Sequence, residues 1–252
     1  MPDRRPERRR EGDRVPDVSF RVRRDDDWSV VHGRELFDGK NVVVFSLPGA
    51  FTPTCSSTHL PRYDELAPAF RAHGIDTVAC ISVNDPFVMD EWARTQHCDN
   101  LLMLPDGNAA FTREMGQLVD KRDLNFGERS WRYSMLVRNG IIEKMFVEPD
   151  EPGDPLTVSD ADTMLKYLDP DAKAPDAVAM LSREGCPFCA KARKMLDDAK
   201  IPFADVPLDG AIRSKALSAI AGQATVPQVF VNGAHVGGSE ALERWLHARS
   251  VA

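Results

Sequence analysis

The sequence predicts an α/β protein of two domains, each a mixed central sheet flanked by helices. Three observations carry this. Apolar runs of strand length alternate with stretches of helical periodicity in both halves of the chain. Asn139-Gly140 and Asn232-Gly233 each lie between two apolar runs, and both residue types tolerate the positive φ of a tight hairpin, so each sheet has an antiparallel part. Residues 169–176 (DPDAKAPD) contain two prolines and no apolar periodicity, which reads as a short, stiffened linker.

Residues 1–14 hold six arginines beside Asp3, Glu7, Glu11 and Asp13, with no apolar run after them. Such a mixed charge run is expected to be a disordered, solvated tail and neither a signal peptide nor a membrane span. The first domain is expected over residues 15–168. Val42, Val43, Val44 and Phe45 predict a buried strand, and Pro48-Gly49-Ala50-Phe51-Thr52-Pro53-Thr54 a loop that no helix or strand could absorb. A helix is expected from about 55 to 72, a strand at 77–83, a helix at 86–97, a strand at 101–104 and a hairpin of 133–137 with 141–147. After the linker, the second domain (177–252) gives a strand at 177–181, a helix from the Cys-Pro-Phe-Cys segment to 200, and a strand at 203–206. A helix at 212–221, a hairpin at 228–236 and a helix at 239–248 complete it.

Apolar residues at 42% and charged residues at 28% suit a soluble globular enzyme or binding protein, and exclude wholesale disorder or a fibrous architecture. A net charge of -7 argues against nucleic acid and anionic membrane as partners, because phosphate binding wants a dense basic surface. Five cysteines, an odd number in a chain too large to need staples, point to a reducing compartment, by default the cytoplasm, and to reactive thiols. No metal site is expected: Cys186 and Cys189 have no second ligand pair, Cys55, Cys80 and Cys98 are isolated, and no His-x₃₋₅-His spacing occurs.

Cys186-Pro187-Phe188-Cys189 sits between a strand and a helix. Cys186 is therefore expected at the helix N-terminus, where free N–H groups and the dipole favour a thiolate and depress its pKa. Cys189, one turn inside, is expected to be the recessed thiol of the pair. The segment resembles the glutaredoxin family of the thioredoxin fold, and further matches cover nearly the whole second domain. Thr225-Val226-Pro227 is similar to the family's cis-proline loop, which pairs with the peptide backbone of glutathione. Gly237-Gly238-Ser239-Glu240 resembles the family's glycine pair, where free N–H groups receive the γ-glutamyl carboxylate. Arg183 stands in the place of the family's usual lysine, which would hold a cation near Cys186 and the glycyl carboxylate. One departure is Gln223-Ala224, where many members carry a basic residue; weaker glutathione affinity is expected.

Cys55 ends a proline-rich loop and opens a helix, with the Thr52 hydroxyl three positions before it. Read alone, it is a small buried hydrophobe or a reactive thiol in nearly equal measure. Pro-x-x-x-Thr-x-x-Cys resembles the peroxiredoxin active-site pattern, and residues 47–61 resemble its Prx5-like, atypical branch, the match running from about 15 to 168. The resemblance implies that Pro48 shields the thiolate, that the Thr52 hydroxyl bonds it and the peroxide, and that Arg132, in Trp131-Arg132-Tyr133-Ser134-Met135, stabilises it. Arg129 is expected to be a solvated surface charge. Some relatives of that branch carry a resolving cysteine in a late Leu-Thr-Cys-Ser segment, where this chain reads Leu156-Thr157-Val158-Ser159. Cys80 is expected to be inert core, Cys98 a bystander, and His59 a structural histidine outside the catalytic set.

The expectation is thus two thioredoxin-fold domains acting together as a glutathione-dependent peroxidase for hydrogen peroxide and alkyl hydroperoxides. Peroxide oxidises Cys55 to a sulfenic acid, glutathione condenses with it, and the second domain removes the glutathione through Cys186. Glutathione is a co-substrate, and no tightly bound cofactor is expected. The eight-residue linker favours contacts between domains of different subunits in a homo-oligomer, a dimer or tetramer. The competing readings are a peroxide-responsive redox sensor that regulates a partner, and an iron–sulfur carrier bridged by Cys186 and glutathione.

Overall fold

The computed structural model describes residues 7–24, 26–151, 153–208 and 214–250. The chain divides into two compact units between Ala174 and Pro175, inside the proline-containing stretch.

In the first unit the elements in order are β1 (Phe20–Arg24), β2 (Asp27–Val31), α1 (Gly33–Phe37), β3 (Asn41–Leu47), a π-helical turn (Cys55–His59), α2 (Leu60–Ala72), β4 (Thr77–Ser82), α3 (Pro86–Thr95) and β5 (Leu102–Pro105). Then come α4 (Ala110–Glu114), β6 (Leu118–Asp120), β7 (Glu128–Ser130), β8 (Tyr133–Arg138), β9 (Ile141–Val147) and α5 (Ala161–Leu168). The main sheet runs β5-β4-β3-β8-β9, with β3, β4 and β5 parallel and β8 and β9 antiparallel. This is the mixed α/β architecture that the strand and helix periods predict.

β3 lies at the centre because its apolar run has no polar face to offer water. Val43, Phe45 and Leu47 enter one core with Leu60, Tyr63 and Phe70 of α2, while Val42 and Val44 enter a second core with Phe20, Phe37 and Phe111. Helix starts are written in the side chains: Asp85 accepts from the amides of Phe87 and Val88 (2.9 and 3.0 Å), with Pro86 following, and Asp160 accepts from Thr163 N (2.9 Å).

Residues 7–14 do not form the solvated tail expected of them. Edge strand β9 leaves backbone groups unpaired, and this segment meets them: Gly12 N donates to Ile142 O (2.8 Å), Ile142 N to Asp13 O (2.9 Å) and Val15 N to Gly140 O (2.9 Å). Its charges also find partners, Glu11 with Lys144 (2.9 Å) and Arg14 with Asp38 (2.8 Å). Residues 1–6 of that expectation lie outside the described residues.

The second unit contains β10 (Val178–Ser182), α6 (Pro187–Asp198), β11 (Ala204–Pro207), α7 (Ser214–Ala221), β12 (Gln228–Val231), β13 (Ala234–Gly237) and α8 (Ser239–Ser250). Its sheet runs β11-β10-β12-β13, with β10 and β11 parallel and the rest antiparallel. The expected helix 212–221 begins outside the described residues. Met180, Ala192, Leu196, Val229 and Leu242 make a small core of their own. Among the described residues, no helix is long and apolar enough to cross a membrane.

Candidate active site: two cysteine centres

Cys55 is fully buried where the loop after β3 enters its helix. Instead of a regular α-helical start, Leu60 N donates to Cys55 O in a π turn. Pro61 supplies the reason: it has no N–H for the preceding turn and its ring crowds it, so the turn widens. Pro48 is buried beside the loop, and the loop is tied down by Asn84, whose Oδ1 accepts from Ala50 N (3.0 Å) and from the Ser82 hydroxyl (2.7 Å). The Thr52 hydroxyl donates to Gly49 O (2.8 Å) rather than to the sulfur.

Arg132, itself buried, comes to Cys55 from the entrance of β8, 77 positions away. Nη2 donates to the Cys55 sulfur (3.5 Å) and to Asp154 Oδ1 (2.5 Å), and Nη1 donates to His59 Nδ1 (2.9 Å). The imidazole is held by its other nitrogen, Nε2, which donates to Ser159 O (3.2 Å). Burial, and then the neighbouring Arg132 charge, push the His59 pKa down to about 3, so the ring is neutral and Nδ1 is a free acceptor. His59, expected to be structural, therefore touches the guanidinium that faces the thiol.

Glu148 stands behind this arrangement, 2% exposed. Its carboxylate accepts from the amides of Thr157, Val158 and Ser159 and from the hydroxyls of Thr157 and Ser159, at 2.7–3.0 Å. Burial alone would raise its pKa, but these bonds outweigh it and hold it at about 2. The segment carrying Asp154 and Ser159 is thus pinned over the cysteine by one carboxylate. Arg129, expected on the surface, is instead half-buried: it donates to Val83 O and to Phe126 O, and burial lowers its pKa.

Cys80 and Cys98 offer poor nucleophiles. Burial raises both thiols, and Cys98 also donates to Asp64 Oδ1 (3.3 Å), so neither favours the thiolate.

In the second unit Cys186 is the N-cap of α6, followed by Pro187 at its first turn, and its sulfur accepts from Cys189 N (3.3 Å). Partial burial raises its pKa, but the Cys189 thiol, the amides of Cys189 and Phe188 and the Arg193 charge outweigh this, and the net shift is downward. Cys189 is fully buried, and desolvation, together with the hydrogen bond to Cys186, pushes it up to about 11. The exposed attacker and recessed partner expected from the sequence are thus separated by position and by pKa.

The residues expected to hold a ligand lie around Cys186. The Val226–Pro227 peptide is cis, and the Cys186 thiol points at Val226 O (3.8 Å). Gln228, 2% exposed, donates to Thr225 O (2.8 Å) and accepts from His235 (2.7 Å), fixing that backbone. Gly238 lies next to Pro227 O, an ordinary contact distance away, and Ser239 and Glu240 open α8. Arg183 is exposed, and only its backbone reaches the site, as Cys186 N donates to Arg183 O (3.4 Å). Arg193, seven positions along α6 and anchored by Asp205 (2.5 Å) and Ser182 (3.0 Å), adds a lesser downward influence on Cys186 through its charge.

Two family models match the chain, Redoxin over residues 10–165 and Glutaredoxin over residues 178–236. A hybrid peroxiredoxin of Haemophilus influenzae, hyPrx5, is 54% identical over 93% of this chain and 98% of its own length. A peroxiredoxin of Synechocystis is 53% identical over 62% of this chain and 89% of its own. Among solved structures, reduced Prx3 of Vibrio vulnificus in complex with hydrogen peroxide is 39% identical, with a TM-score of 0.60 over 64% of this chain and 99% of that one. The Plasmodium falciparum antioxidant protein, a 1-Cys peroxiredoxin, is 34% identical, with a TM-score of 0.62 over 65% of this chain and all of that one. Both units have the thioredoxin fold. The chain belongs to the peroxiredoxins, peroxidase oxidoreductases, in the hybrid form that carries a glutaredoxin domain after its redoxin domain.

Proposed function

We propose that the protein is a glutathione-dependent peroxidase in which Cys55 reduces the peroxide and Cys186 removes the glutathione that resolves it. The observation that carries this is the pairing of one buried thiol under a buried guanidinium with a second, partly exposed thiol whose pKa is lowered at a helix N-terminus.

The thiolate is the form that attacks, and Arg132 Nη2 stands 3.5 Å from the Cys55 sulfur. The thiolate takes the distal oxygen of ROOH, the O–O bond breaks, and the leaving alkoxide or hydroxide takes a proton, giving Cys55–SOH and ROH or water. Arg132 stabilises the charge on the leaving oxygen. Thr52 donates to the peroxide when its hydroxyl turns from Gly49 O, and Pro48 keeps water from the sulfur. One similar structure named a 1-Cys peroxiredoxin, and one solved in complex with hydrogen peroxide, support this half of the reading.

Val158 stands where a resolving thiol would be, and Cys80 and Cys98 are held as thiols. Glutathione then condenses with the sulfenic acid, releasing water and leaving a Cys55–glutathione disulfide. The Cys186 thiolate attacks the glutathione sulfur, Cys55 leaves as thiolate, and a second glutathione frees Cys186 as glutathione disulfide forms. Thr225, Val226 and Pro227 would pair with the glutathione backbone and Gly238, Ser239 and Glu240 would receive its γ-glutamyl end, while the exposed Arg183 would meet its glycyl carboxylate. Cys189, at about 11, stays protonated and supports the monothiol route. We place the protein in the cytoplasm, as its free thiols suit, and as a homo-oligomer whose size light scattering would read.

The direct test is to treat Cys186→Ser with one equivalent of hydrogen peroxide and then glutathione, and to weigh the protein. One glutathione on Cys55 is expected; an unmodified or over-oxidised Cys55 would overturn the resolving step.

A further inference from the structure

Asp154 is the feature of the Cys55 site that the peroxidase chemistry does not use. Its carboxylate accepts from Arg132 Nη2, the same nitrogen that faces the Cys55 sulfur, so the carboxylate oxygen and the sulfur lie within about 6 Å of each other. The two partners differ in exposure: the Arg132 side chain is 2% exposed and that of Asp154 39%. A molecule arriving from solvent therefore meets the carboxylate before it meets the guanidinium.

The other charged and titratable groups around this point are accounted for. His59 is neutral and gives Arg132 only a lone pair. Glu148 spends its carboxylate on the 157–159 segment, and Cys80 on β4 is a buried thiol. Among the described residues, Asp154 is the one carboxylate in an ion pair with Arg132. Three residues on, Glu148 anchors the 157–159 stretch of the same segment.

We propose that Asp154 is a specificity-determining residue that cancels the Arg132 charge at the mouth of the Cys55 site, so that uncharged hydroperoxides are favoured over anionic ones. A lone buried arginine would draw an anion inward, whereas an arginine already paired with an outward-facing carboxylate repels it at the entrance. A neutral hydroperoxide meets no such barrier, and it needs only to share or displace the Asp154 oxygen on Nη2 to bring its own oxygen to the sulfur.

This inference rests on the reading of Cys55 as the attacking thiol, and the test separates the two. Rate constants for the single oxidation of Cys55 are measured by stopped-flow tryptophan fluorescence in the full chain. Hydrogen peroxide serves as the neutral probe and peroxynitrite, at a pH where it is the anion, as the charged one. Asp154→Asn is expected to raise the peroxynitrite rate relative to that of hydrogen peroxide about tenfold, at the low end of electrostatic steering. Asp154→Glu, which keeps the charge, is expected to keep the wild-type ratio. An unchanged ratio in Asp154→Asn, or an equal fall in both rates, overturns the inference and makes Asp154 a mere prop for Arg132. Absence of any Cys55 oxidation in the wild-type chain overturns the reading beneath it as well.

Discussion

Arg132 has three partners at once: the sulfur of Cys55, the ring of His59 and the carboxylate of Asp154. Only the first is in the proposed reaction; His59 meets the guanidinium from the buried side and Asp154 from the solvent side. Replacing Arg132 by methionine keeps the volume and removes the charge. It is expected to slow Cys55 oxidation by about 100-fold, the cost of losing one donor to a developing oxyanion, as read by single-turnover kinetics. His59→Phe removes the Nδ1 acceptor together with the Nε2 bond to Ser159 O; a fall of about tenfold in the same rate, with KM for glutathione unmoved, is expected if the imidazole positions the guanidinium. These residues differ in how far the sequence shows them. Cys55, Thr52 and Pro48 share one loop and were legible as a local pattern; Arg132 was legible only through family resemblance, since nothing near it in the chain marks it. Asp154 and Glu148 were not legible, because an acidic residue in a polar segment looks solvated until the fold turns it inward. Arg193 was not legible as a charge bearing on Cys186, because it lies two helical turns away along α6.

At the scale of elements, Glu148 and residues 157–159 work as a clamp. Glu148, at the end of β9, holds the amides of 157–159, and that segment gives Ser159 O to His59 and to Tyr63 (2.9 Å). Removing the carboxylate leaves buried amides without an acceptor, so Glu148→Ala is expected to destabilise the first domain by about 3 kcal/mol in urea unfolding. The sign of its pH dependence follows from a pKa lowered in the folded state from 4.5 to about 2. The stabilisation is whole above 4.5 and is lost as pH falls toward 2, so the gap between wild type and Glu148→Ala should close across that window. A gap independent of pH would show that the carboxylate charge is not what holds the segment. The long, strongly apolar elements were legible, among them β3, β4, β8, β9 and α6. The β1–β2 hairpin was not, because its strand Asp27–Val31 is almost wholly exposed and carries no apolar alternation, and β6 and β7 are three residues each.

At the scale of the whole chain, the two thioredoxin folds repeat one device: a cysteine where a loop after a strand enters a helix, served by a cation from farther along the chain. They differ in access, since Cys55 is fully buried and Cys186 is partly exposed. That difference suits the proposed cycle, in which Cys55 first meets a small peroxide and Cys186 meets a tripeptide disulfide. Cys186→Ser should consume one equivalent of peroxide and stall, while Cys189→Ser should keep most of the turnover; equal losses in the two variants would replace the monothiol route by a dithiol one. The measurement that bears most directly on the account is hydrogen peroxide-driven NADPH oxidation, followed with glutathione and glutathione reductase. Steady turnover that vanishes in Cys55→Ser and in Cys186→Ser is the expected result. No turnover in the wild-type chain, or turnover that survives the loss of Cys186, would contradict it.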